Sequence, residues 1–114
     1  GLYRWLLLNA FPAPEREFVE EDCGRGGKRT LLISPRESLD LNMSNSIEIL
    51  ARGGFHLRVK TIVSIGFDYE EGISVSLLRS GVMVIEGAVD REAAIRIYKR
   101  LVSDLLGVPW SKIE

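Results

Sequence analysis

The chain has 114 residues, 46% of them hydrophobic and 27% charged, which suits one compact domain or a domain plus a fragment and excludes a disordered or fibrous protein. A net charge of −1 gives no overall pull toward nucleic acid or anionic membrane. The single cysteine, Cys23, cannot close an internal disulfide, so a cytoplasmic protein is expected rather than a secreted, disulfide-stapled one, and no stretch reaches the length of a transmembrane helix.

The first 23 residues predict a β-hairpin. "YRWLLLNAF" (3–11) reads as a strand, "PAPE" (12–15) as a break and "REFVEED" (16–22) as a second strand. Leu6–Leu8 form a continuous apolar run, the pattern of a strand buried on both faces, which a lone hairpin cannot supply. The run Trp5–Leu8 is too short for a signal-peptide core, and a start at Gly1 suggests a piece of a longer chain.

Residues 24–29 form a Gly-rich joint, and residues 30–114 predict a small two-layer α+β domain of order β-α-β-β-β-α. "TLLIS" (30–34) is a strand ended by Pro35. Residues 42–54 form a short helix capped by Ser44 or Asn45 and stopped by Gly53-Gly54, with Ile47, Leu50 and Ala51 inward. A three-stranded antiparallel meander follows. "HLRVKTIVSI" (56–65) alternates Leu57, Val59, Thr61, Val63 and Ile65 on one face with Arg58, Lys60, Ile62 and Ser64 on the other. "GFDYEEG" (66–72) reads as a turn-rich connection, and "ISVSLLR" (73–79) and "VMVIEG" (82–87) as strands joined by a two-residue turn at Ser80-Gly81. The closing helix, 90–107, has Asp90 as N-cap, Gly107 as stop, and Ala94, Ile97, Tyr98, Leu101 and Leu105 inward. The tail "VPWSKIE" shows no regular pattern, and Trp110 is expected against the domain edge.

Candidates for chemistry are few. Gly27-Lys28 lacks the upstream glycine and the following hydroxyl of a phosphate loop. One cysteine and one histidine, Cys23 and His56, cannot complete a closed zinc site. Cys23 has Lys28 and Arg29 on one side and Glu20, Glu21 and Asp22 on the other, which leaves its thiol without a clear activating environment. Asp68, Glu70 and Glu71 are too few and wrongly ordered for a calcium loop. No catalytic or cofactor-binding residue emerges, and binding is the default role. A basic patch of Arg58, Lys60 and Arg52 is the candidate partner-binding surface.

Two segments resemble the ThiF/MoeB/HesA family, enzymes that activate ubiquitin-like and sulfur-carrier proteins. "GLYRWLLLNAFPAPEREFVEEDC" resembles the last hairpin of the adenylation domain, through Leu6–Ala10, Glu17–Val19 and Asp22-Cys23. "LLRSGVMVIEGAVDREAAIRIYKRLV" (77–102) is similar to a C-terminal extension with a Gly turn, a strand ending in Gly and a helix opening on Asp. Gly81, Ile85, Gly87, Asp90, Ala94, Tyr98 and Arg100 carry that likeness.

The resemblance implies a parent enzyme that uses ATP and Mg to adenylate a carrier protein, with its nucleotide loop and catalytic residues upstream of the matched segments. It also implies a zinc bound by two Cys-x-x-Cys pairs. Here Cys23 stands at the first position of the second pair and Gly26 at the other, so the pair is broken and zinc is not expected. The expected role is contact with the ubiquitin-like or sulfur-carrier protein, without catalysis by this chain alone. The segment 77–102 also looks like part of a TATA-binding-protein repeat, which would make the chain a stand-alone binding module for nucleic acid or protein, although no second repeat is present. A homodimer, covering Leu6–Leu8, is the remaining expectation.

Overall fold

The computed structural model describes residues 18–23 and 29–114. In chain order the elements are β1 (Val19–Cys23), β2 (Arg29–Ile33), α1 (Met43–Arg52), β3 (His56–Lys60), β4 (Ser64–Glu70), β5 (Ile73–Leu78), β6 (Met83–Glu86) and α2 (Arg91–Tyr98). Helix α2 runs on as a π-helical segment, Lys99–Leu105, and a single turn, α3 (Trp110–Ile113), follows. The six strands make one antiparallel sheet of order β1-β2-β6-β5-β4-β3, so β1 and β3 are its edges among the described residues.

Alternation along the strands builds the main core. Leu31 and Ile33, Ile65 and Phe67, Val75 and Leu77, and Met83 and Ile85 are all at most 1% exposed on the helix-bearing face. Helix α1 covers the β3–β4 half with Met43 and Leu50, and α2 covers the β1–β2 half with Ala94, Ile97 and Tyr98. Each fully buried large side chain contributes about 1.5–3 kcal/mol relative to exposure. The other face carries its own apolar cluster, Leu32, Leu78, Val82 and Val84, to which no described helix contributes.

The expected mixture of helices and strands is present, but the predicted order is one strand short. Four strands, not three, separate α1 from α2. The single strand expected over 56–65 is a hairpin, β3 and β4, folded at Thr61. The Thr61 hydroxyl accepts from the amides of Val63 (3.2 Å) and Ser64 (2.9 Å), giving those donors a local partner in place of a strand ladder. The connection expected over 66–72 is mostly strand. Ile65, Phe67 and Tyr69 alternate with Gly66, Asp68 and Glu70; the first set is buried or half-buried, whereas Asp68 and Glu70 are exposed.

Local details also differ. Asn42, not Ser44 or Asn45, caps α1 by accepting from the Asn45 amide at 3.0 Å; Met43, Ser46 and Leu50 are buried, Ile47 is half-buried against the core as expected, and Ala51 is exposed. The β5–β6 connection has four residues, Arg79–Val82, rather than two. Leu78 donates to Val82 and Gly81 to Leu78, with Gly81 at φ +94°. Asp90 caps α2 as expected, accepting from the Ala93 amide at 2.8 Å. In the π-helical segment each turn takes more residues than in an α-helix, so the inward phase falls on Leu101 and Val102 and leaves Leu105 37% exposed. Trp110 packs edge-on against Phe18, at the domain edge.

The first expected strand (3–11), its turn (12–15) and residues 24–28 lie outside the described residues. The second expected strand is β1, which pairs with β2 from Val19 opposite Ile33 to Cys23 opposite Arg29. The Gly-rich stretch therefore joins two neighbouring strands of one sheet.

Candidate partner-binding site

The basic patch expected on β3 is divided by a β-bulge. Leu57 pairs with Phe67 and Val59 with Gly66, leaving Arg58 as the extra residue. The bulge shifts the side-chain phase by one. His56 and Val59 stand opposite Asp68 and Gly66, whereas Lys60 stands opposite the core residue Ile65. Arg58 and Lys60 thus do not share the continuous face that unbroken alternation would give them.

Two of the three cations are neutralised locally. Arg58 pairs with Asp68 at 2.8 Å, and Arg52 pairs with Glu48 one helical turn earlier on α1. Both pairs are solvent-exposed, so each is worth at most about 1 kcal/mol. Lys60 makes no ion pair among the described residues.

Beside Lys60 lies a feature that alternation did not disclose. Val59, Ile62 and Val63 are 46%, 79% and 56% exposed, and with Lys60 they form the end of the β3–β4 hairpin. Their turn is held in place. Besides the Thr61 hydroxyl contacts, the Thr61 amide donates to the Ser64 carbonyl and the Arg79 amide to the Val63 carbonyl, each at 2.9 Å. Arg79 is paired in turn with Asp40 at 2.8 Å. Turn tips usually carry polar residues, so a braced tip presenting Ile and Val is a candidate interaction surface. The sequence signal was the Thr61-x-x-Ser64 spacing around two β-branched apolar residues.

The other end of the hairpin is different. Arg58, Asp68, Glu70, Glu71 and Ser74 line an open groove of about 530 Å³. Asp68 and Glu70 are strand residues there, not members of a calcium-type loop. No group of three or more metal-capable side chains converges among the described residues.

Cys23 and His56 sit on opposite edge strands, five strand spacings apart across the sheet, or about 24 Å. They can neither share a metal nor act as a thiol–imidazole pair. The donor set does not fit the zinc that the family resemblance implies, and no step is assigned to that metal.

Among the described residues, no helix is long and apolar enough to cross a membrane. No protein-family model, curated protein or solved structure matches the chain.

Proposed function

We propose that the chain is the C-terminal portion of a ubiquitin-like-protein activating enzyme of the ThiF/MoeB/HesA type, and that it contacts the carrier protein without catalysing adenylation itself. The observation that carries the contact role is the braced hairpin end: exposed Val59, Ile62 and Val63 beside the cation Lys60, which makes no ion pair among the described residues. An apolar centre with a charged rim is the anatomy of a protein–protein contact. The element order over residues 77–102 supports the family part of the reading. A strand leads through the Gly81 turn to a strand followed by Gly87, and then to a helix capped by Asp90.

In this reading ATP and Mg belong to an upstream domain of a cytoplasmic parent enzyme, and no residue of this chain is assigned to them. The rival reading, a nucleic-acid binder on the sheet face away from the helices, has less support. That face presents Asp68 and Glu86, and its Arg58 is tied to Asp68. Calorimetric titration of the chain with a ubiquitin-like sulfur-carrier protein, and separately with duplex DNA, tests both readings. Saturable binding to the carrier alone supports the proposal. Salt-sensitive binding to DNA alone overturns it.

A further inference from the structure

The hairpin end carries a second cation, Arg79, besides Lys60. Arg79 directly follows β5, and its amide donates to the Val63 carbonyl at 2.9 Å. It therefore stands beside the apolar tip on the side away from β3, with its side chain 52% exposed.

Lys60 and Arg79 lie on one side of the sheet. Lys60, Ile65 and Leu77 form a row of cross-strand partners, which share a face. Arg79 lies two residues beyond Leu77 and keeps its phase. The position of Asp40, which pairs with Arg79, fits this placement: Leu39 and Leu41 on either side of it pack against the helix-covered core. Two strand spacings across and two residues along the strand put the backbones of Lys60 and Arg79 about 12 Å apart, with Val63 between them.

The Asp40 pair does not exhaust Arg79. Asp40 accepts from Nε at 2.8 Å, which leaves the two terminal nitrogens to other acceptors. Nor is the pair needed to hold the 39–41 loop. The Leu39 amide already donates to the Ser80 carbonyl and the Leu41 amide to the Arg79 carbonyl, each at 2.9 Å. An exposed ion pair adds little to such backbone bonds.

We propose that Arg79 is a specificity-determining contact, pairing with a carboxylate of the bound protein. Lys60 and Arg79 then bracket the apolar tip, and together they select a partner whose apolar patch has a carboxylate on each side. The inference rests on the carrier-protein reading of the hairpin end and deepens it.

The test is stopped-flow association and calorimetric titration of the full chain with a ubiquitin-like sulfur-carrier protein, at low and high salt. Arg79→Gln removes both the cation and the Asp40 pair, whereas Asp40→Asn removes the pair and keeps the cation. Both side chains are exposed, so both variants should keep the parent unfolding midpoint. Arg79→Gln is expected to associate about fivefold more slowly at low salt, with the deficit shrinking at high salt, and Asp40→Asn at least as fast as the parent. Equal weakening in the two variants would overturn the proposal, because the pair would then serve only to hold the loop. Parent-like binding by Arg79→Gln would overturn it alone, leaving the hairpin-end reading in place if Ile62→Asp/Val63→Asp still weakens binding. A parent chain that does not bind the carrier overturns that reading and this inference with it.

Discussion

Tyr98 donates its buried hydroxyl to the carbonyl oxygen of Gly81 at 2.7 Å. The bond ties the end of α2 to the β5–β6 turn and gives a buried backbone acceptor a partner. Tyr98→Phe removes the donor while keeping the ring, so the cost is that of an unsatisfied carbonyl, about 1–3 kcal/mol. Urea denaturation should show a lower midpoint with an unchanged slope.

Burial pushes the Tyr98 phenol well above its ordinary range. The unfolded phenol ionises near pH 10 while the folded one stays protonated. The folded state then holds more protons, so stability falls as pH rises. The Tyr98 contribution is intact below about pH 10 and is lost progressively above it. Stability measured from pH 8 to 11 should fall more steeply in the parent chain than in Tyr98→Phe.

Gly87 is at φ +93°, and a Cβ there would lie 1.9 Å from the Gly72 carbonyl oxygen. Gly87→Ala must displace backbone at the β4–β5 turn, and a loss of about 4 kcal/mol or more is expected. Gly54 has nearly the same φ, +91°, but open space around it. Gly54→Ala should cost only the left-handed strain, about 1–2 kcal/mol. Equal losses in thermal unfolding for the two variants would contradict the close approach at Gly87.

Cys23 and His56 lie on opposite sheet edges, so the purified chain should carry far less than one equivalent of zinc by elemental analysis, and a chelator should leave its unfolding midpoint unchanged. Stoichiometric zinc would mean that ligands come from elsewhere than this pair.

Much of the fold was legible because local chemistry and tertiary packing agree. Asp90 caps α2, Gly81 occupies the left-handed position of a hairpin, and Val75 and Leu77 alternate into the core. The errors arose where two local features mimic one longer element. The bulge at Arg58 and the tight turn at Thr61 both sit inside a run that alternates from Leu57 to Ile65, so period two read through a bulge and a chain reversal alike. The true β4 was available as Ile65, Phe67 and Tyr69, but Gly66, Asp68 and Glu70 between them gave the composition of a turn. Of the expected basic patch, Lys60 makes no ion pair among the described residues. Arg58 and Arg52 found carboxylates whose proximity depends on register and helix phase.

The central claim is that the hairpin end binds a carrier protein. The most direct measurement is amide chemical-shift mapping of the full chain titrated with a ubiquitin-like sulfur-carrier protein, repeated with Ile62→Asp/Val63→Asp and with Lys60→Glu. These side chains are exposed, so the variants should keep the parent unfolding midpoint to within about 0.5 kcal/mol. The account predicts saturable shifts centred on Val59–Ser64, with affinity reduced at least tenfold in the double variant and association slowed in Lys60→Glu. No binding, or shifts centred elsewhere that the double variant leaves unchanged, would contradict it.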